Sequence, residues 1–432
     1  MTRSPTVAFF PEPGAWGPTN NCVAIADVLR ERGVRAVFVV EESFRGVLEE
    51  RGFDEALFRV SPPPEHEEQV GEGWAEWVRA NAPEFQKPTI EQLTTVIRPI
   101  WEELVSGAKY AHERLEEIFE DARPDLIVSD NVCAFPAVPA AGVPWARSVS
   151  ANPLELEDPA LPPPFSGYPA QDRTGWDEFR EENRRVHRAL LEELNEFCIE
   201  KGAGPLPEGK FQWESPWLNV HLFPAEIDYE RTRPLGPTWH RLDSTIRISD
   251  RPFDLGAHLP GEGKVIYLSL GSLGSMDVGL MQRLIDVLGR TEHRVVVSLG
   301  LLHRELSLGE RMYGEQFLPQ PSILPQCDLL ITHGGNNTFA EAFTFGLPTV
   351  VLPLFWDQYD NAQRAQETGF GVRLPTYSFE DDELLASVDR LLGDDVLHER
   401  LARISARLQA SPGRVQGADL IERLVRTGQP VA

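Results

Sequence analysis

The amino-acid sequence predicts an α/β protein made of two tandem doubly wound, Rossmann-like domains facing a cleft. Length is the first observation behind this: 432 residues exceed what one hydrophobic core usually supports, so two domains of roughly 200 residues each are expected. The second is the recurrence of short apolar runs, suited to buried parallel strands, between amphipathic stretches of helical spacing. The third is that the same alternation restarts after a segment rich in proline, glycine and charge.

In chain order, Val7 to Phe10, Arg35 to Val40, Leu126 to Ser129, Trp145 to Val149 and Leu218 to Leu222 read as strands of the first domain. Pro18 to Arg32 places Val23, Ile25, Ala26, Val28 and Leu29 at helical spacing before Gly33, a first crossover helix closed by a glycine. Between Ser61 and Arg123 lie long helical patterns rich in Trp74, Trp77, Phe85 and Trp101, which serve either core packing or a ligand wall. Arg233 to Gly263 suits a linker. Beyond it, Lys264 to Leu270, Arg294 to Leu299, Asp328 to Thr332 and Thr349 to Leu352 are strand candidates, separated by helical patterns at Met276 to Leu288, Thr338 to Phe345 and Tyr359 to Thr368. Leu384, Leu385, Val388, Leu391 and Leu392, then Ala418 to Val425, read as closing helices. The expected boundaries are 1–232 for the N-terminal domain with its helical insertion, 233–263 for the linker and 264–415 for the C-terminal domain. Residues 416–432 are expected to form a helix that packs back on the first domain.

Composition excludes several function classes. With 67 acidic against 41 basic side chains the net charge is −26, which disfavours nucleic acid or an anionic membrane as the main partner. Any anionic ligand must be held locally. Cys22, Cys133, Cys198 and Cys327 show neither Cys-x-x-Cys pairing nor zinc spacing, so a reduced, cytoplasmic protein without a metal site is expected. Val7 to Phe10 is too short for a signal-peptide core, and no apolar run approaches the roughly 18 residues of a membrane helix.

The chemistry concentrates between Phe317 and Asn361. The strand ending at Thr332 runs into His333-Gly334-Gly335, and Asn336-Asn337-Thr338 opens a helix. Two glycines let backbone approach a ligand closely, and the exposed N–H groups of a helix start attract anions. His333, Asn337 and Thr338 add side-chain donors for a diphosphate, and Glu341, four residues past Asn337, lies on the same face to accept from ribose hydroxyls. Thr338 to Glu341 is equally a capping box, in which both side chains would serve the helix itself. Asp357 and Gln358 follow the next strand at its carboxyl end, where open sheets bind ligands, and such a pair can read adjacent sugar hydroxyls.

This segment resembles the signature of the family 1 nucleotide-sugar glycosyltransferases, which include plant and macrolide-modifying enzymes. The resemblance implies the GT-B fold, an acceptor-binding first domain, and a second domain holding a nucleotide sugar as co-substrate without cofactor or metal. It puts Phe317 at the base-stacking position, Gln320 on the nucleotide, and His333, Gly335, Asn337, Thr338 and Glu341 at the diphosphate and ribose positions. It puts Asp357 and Gln358 on the sugar, and Gly271 and Ser272, in Leu268-Ser269-Leu270-Gly271-Ser272, on the loop that meets the phosphates. His333 then stabilises the leaving group. Pro348, in Gly346-Leu347-Pro348, matches the family's Gly-Val-Pro turn. Two departures leave uridine and thymidine donors equally open: Asn336 stands where many relatives carry an aromatic residue, and Phe317 where most carry a tryptophan.

The resemblance also implies a histidine base at the start of the first helix, and an ungapped match from Gly33 backward puts Pro18 there. Proline is comfortable in a helix's first turn but accepts no proton. Asp130, at the partner-carboxylate position, either serves as the base or caps the following segment. Alternatively the acceptor, a phenolate, thiolate or activated carbon, needs no base, or the site no longer transfers sugar. His66 and His112 are substitutes on the helical insertion or plain surface residues. Trp16, Pro18, Phe135, Trp145 and Phe165 are candidates for a pocket that takes a lipophilic small-molecule acceptor.

Overall fold

The computed structural model describes residues 4–63, 70, 72–249 and 251–432; His66 lies outside them. The first sheet holds β1 (Thr6–Pro11), β2 (Arg35–Glu41), β3 (Asp54–Phe58), β4 (Leu126–Asp130), β5 (Trp145–Val149), β6 (Leu218–His221) and β7 (Trp239–Arg241). The second holds β8 (Val265–Ser269), β9 (Arg294–Ser298), β10 (Met312–Glu315), β11 (Leu329–Thr332), β12 (Thr349–Val351) and β13 (Gly371–Arg373). Their orders are β3-β2-β1-β4-β5-β6-β7 and β10-β9-β8-β11-β12-β13, and every pair is parallel. Two doubly wound domains therefore stand in tandem, as the alternation of apolar runs predicts.

The central strands are buried on both faces, which is why they read as unbroken apolar runs. Phe9 stacks on Phe38 with ring centroids 5.4 Å apart, and Phe10, on the other face, packs edge-on to Phe135 at 4.8 Å. Burying such a ring contributes about 1.5–3 kcal/mol. The first crossover helix, α1 (Trp16–Glu31), starts two residues earlier than expected and gives way to Gly33 at φ +83°.

Two features differ from the expected boundaries. β7 lies inside the segment read as a linker and pairs with β6, so the first sheet extends past residue 232. The terminal helix, Gly413–Thr427, starts before 416; its Gly417 packs on Ile25 of α1 and on Leu242. Among the described residues no helix is long and apolar enough to cross a membrane.

Candidate functional site

Strand order reverses between β1 and β4 in the first sheet and between β8 and β11 in the second. In register, Pro11 faces Asp130, and Ser269 faces Thr332. Ligands of open parallel sheets bind beyond the carboxyl ends of strands at these reversals. The residues that emerge there are Glu12 and Asp130 from one domain, and Gly271 and His333 from the other.

His333 sits between two glycines. A Cβ at Gly271 would lie 2.7 Å from its Cε1, and one at Gly335 would lie 2.6 Å from its Nε2. Gly271 also has φ +71°, so both glycines are needed where the imidazole passes. One ring nitrogen donates to the Ser269 carbonyl, and burial pushes the imidazole down to about 4, leaving it neutral at pH 7. The helix after it, α2 (Asn336–Phe345), is capped by Gly335 with no side chain on its first N–H groups.

The capping-box alternative does not hold. Gln320 Nε2 donates to Thr338 Oγ1 at 3.1 Å and to Glu341 Oε2, so Thr338 and Glu341 grip a glutamine from another segment. Three of the sequence-predicted donor residues thus converge, with burial raising the Glu341 carboxyl. Phe317, 47% exposed, presents a free ring nearby in sequence. A narrow recess beside α2 is lined by Asn20, Asn21, Arg247, Asn337 and Glu341 among others.

Other predicted donor residues have structural partners. Asn337 bridges the domains: its Nδ2 donates to the Gly17 carbonyl at 2.6 Å and its Oδ1 accepts from Asn21 at 2.7 Å. Asp357 accepts the Asn152 N–H at 2.8 Å, and burial raises it to about 7. Gln358 Oε1 accepts the N–H groups of Leu354 and Phe355, holding the loop in front of it. Ser272 makes no side-chain hydrogen bond that bears on the site.

Roles not legible in the sequence emerge on the same wall. Asn336 Nδ2 donates to the carbonyls of Ser150 and Leu222. On α3 (Gln358–Thr368), Asp360 accepts the N–H groups of Phe165 and Gly167, and Asn361 joins Gly334 to Asn152. An Asn at a helix start and an Asp-Asn pair one turn after a sugar-reading pair were the available signals.

On the first domain, each Asp130 oxygen is engaged, with Ser148 at 3.1 Å and Ser150 at 2.9 Å, and burial raises the carboxyl to about 6. Its hydroxyl partners, and not the following segment, take its oxygens. Pro18 is the third residue of α1, where its missing N–H has no helical partner. Trp16 packs on Phe44, Phe135 on Phe10, and Trp145 is buried at the amino end of β5, away from the ligand edge. Trp356 packs with Phe165 at 4.4 Å and Trp101 at 5.4 Å, and Phe355 stacks on Phe85 at 5.3 Å. Trp356 holds φ +60°, a backbone setting that costs a bulky residue about 1–2 kcal/mol. His112 is buried on the helix Arg98–Ala122, against Glu116 and Phe197. Among the described residues no three His, Cys, Asp or Glu are placed to hold a metal.

The family model for the C-terminal domain of erythromycin biosynthesis protein CIII-like proteins matches residues 282–424, the part that carries His333 and α2. Over almost the whole length, the demethyllactenocin mycarosyltransferase of Streptomyces fradiae is 24% identical, covering 98% of this chain and 87% of its own. The chain is thus similar to the family 1 glycosyltransferases, most clearly in its C-terminal part. The zeaxanthin glucosyltransferase of Pantoea ananas is 26% identical over 73% of this chain and 75% of its own. A solved structure, the glycotransferase of kitacinnamycin, superposes with a TM-score of 0.70 at 19% identity, covering 98% of this chain and 99% of that one. The fold is therefore GT-B, with one switch point in each sheet.

Proposed function

We propose that the enzyme transfers a hexose from a nucleoside diphosphate sugar, uridine or thymidine, to a lipophilic small-molecule acceptor, with inversion and without a metal ion. The observation that carries this reading is the imidazole of His333, set between Gly271 and Gly335 at an uncapped helix start. Negative charge grows on the diphosphate as the anomeric bond breaks, and N–H groups fixed in advance meet it without reorganisation. Gln320, Thr338 and Glu341, with Phe317 beside them, are a surface for the nucleoside. Asp357 and Gln358 orient the sugar. Trp356, Phe165 and Trp101 give the acceptor side an aromatic wall, and the mycarosyl and glucosyl transfers named for the relatives act on molecules of that character.

Mass spectrometry of reactions containing UDP-glucose or dTDP-glucose and a panel of phenols and macrolides tests it. A new glycoside is expected. Free sugar or an altered sugar nucleotide with no glycoside from any acceptor would contradict the reading.

A further inference from the structure

Transfer to a hydroxyl needs a group that takes its proton, and the geometry points to Glu12 as that general base, with Asp130 as its positioning neighbour. The assignment rests on the glycosyltransferase reading above.

Place is the first argument. Glu12 leaves β1 immediately after Pro11, the register partner of Asp130, so both carboxylates stand at the switch point of the first sheet. The same rim touches the donor helix: Asn337 donates to the Gly17 carbonyl, and Asn336 to that of Ser150, whose hydroxyl in turn binds Asp130. The two carboxylates therefore line the wall that meets the diphosphate-binding helix start.

Free valence is the second. Asp130 has a hydroxyl on each oxygen, Glu155 is ion-paired with Arg147, and Asp357 takes a backbone N–H. Glu12 differs. Its Oε2 accepts the Val132 N–H at 2.8 Å, while its Oε1 is buried with no hydrogen-bond partner among the described residues. Buried polar atoms are paired in nearly all cases, and one left open calls for an explanation. A carboxylate anchored through one oxygen and open at the other is the arrangement a general base requires.

The charges around it agree. Burial raises Glu12 to about 8, opposed by the Val132 N–H and reinforced by Asp130 and Glu155, with Cys133 also facing it. Arg147 is the cation on this wall, and Glu155 absorbs it. In the transfer step the acceptor proton passes to Glu12 Oε1 and the hydroxyl oxygen's electron pair forms the bond to the anomeric carbon. The bond from that carbon to the diphosphate oxygen breaks, and its electron pair leaves on the diphosphate at His333.

Two phenols separate a base from a structural residue. At about pH 8, 4-nitrophenol is largely ionised and needs no base, whereas 4-methoxyphenol keeps its proton and does. Glu12→Gln is expected to lower kcat/KM for 4-methoxyphenol by roughly 10²–10⁴, to change that for 4-nitrophenol by less than about tenfold, and to leave UDP and dTDP affinity unaltered by calorimetry. Glu12→Asp, a second variant if the first folds poorly, should show the same selectivity at smaller size. Equal losses for both phenols, or none for either, would overturn the assignment. Wild-type enzyme that binds nucleotide yet glycosylates neither these phenols nor any other member of the panel would overturn the transferase reading and this assignment with it.

Discussion

Replacing Gly335 by alanine isolates what His333 contributes. At φ −58° and ψ 136° this backbone is ordinary for alanine, so the substitution carries no conformational strain. Its Cβ, however, would stand 2.6 Å from His333 Nε2 and 3.0 Å from Cε1, and the imidazole must move aside by close to an ångström. That displaces the ring proposed to meet the diphosphate and disturbs its bond to the Ser269 carbonyl. A hydrogen bond to a charged group contributes about 1.5–3 kcal/mol, so nucleotide affinity should fall roughly 10- to 150-fold. Calorimetry with UDP and dTDP measures the loss, and a thermal melt shows whether the fold is intact. Gly271→Ala makes the contrast: its Cβ meets the same ring at 2.7 Å, but φ is +71°, so about 1–2 kcal/mol of stability should go as well. A Gly335→Ala protein that melts normally and binds nucleotide within twofold of wild type would refute the placement of His333 on the diphosphate.

Three more outcomes are expected. Burial raises Glu12 to about 8, Asp357 to about 7 and Asp360 to about 8, so the folded chain holds protons that the unfolded chain, titrating near 4, has released. The stability these groups give is full only below about pH 4 and is lost as pH rises from there to about 8, by roughly 1.4 kcal/mol per group per pH unit. His333 and His187, both pushed down to about 4 by burial, act in the opposite sense only below about pH 6.5. Thermal midpoints that rise between about pH 6.5 and 8.5 would contradict this. Because one His333 nitrogen already donates to Ser269, the other donates to a phosphate only in the protonated ring, so nucleotide binding should take up a proton; identical binding enthalpies in buffers of different ionisation heat would show otherwise. A Cβ at Gly413 would lie 1.9 Å from the Leu242 carbonyl oxygen and 2.3 Å from that of Ser244, so Gly413→Ala should displace the terminal helix and cost more than about 2 kcal/mol, read as a fall in melting temperature; an unchanged melt would refute it.

The strands legible in the sequence are the inner ones. β1, β2, β4, β5 and β6, and β8, β9, β11 and β12, are long apolar runs, except that β12 is short, and each has neighbours on both sides. The four strands absent from the sequence reading, β3, β7, β10 and β13, are the four sheet edges. Edge strands are short and half-exposed, with no unbroken apolar run to mark them; Met312–Glu315 is half-buried along its whole length. The donor loop was legible because it is local: His333 to Glu341 lies on one strand, one turn and one helix. Gln320 joining Thr338 and Glu341 is the exception, and there the family resemblance supplied what spacing did not. The acceptor side was poorly legible because aromatic residues mark cores and pockets alike: Trp16 packs on Phe44, Phe135 on Phe10, and Trp356 with Phe165 and Trp101. Glu12 gave no motif at all; its significance comes from following Pro11, whose register partner Asp130 lies beyond 118 residues of intervening chain.

The central claim is that a nucleoside diphosphate is held at His333 and the start of α2. Calorimetric titration of wild type and His333→Ala with UDP and dTDP, with and without magnesium, tests it most directly. The account predicts binding that is indifferent to magnesium and weakened at least roughly tenfold by the substitution. No binding of either nucleotide, or equal binding by His333→Ala, would contradict it.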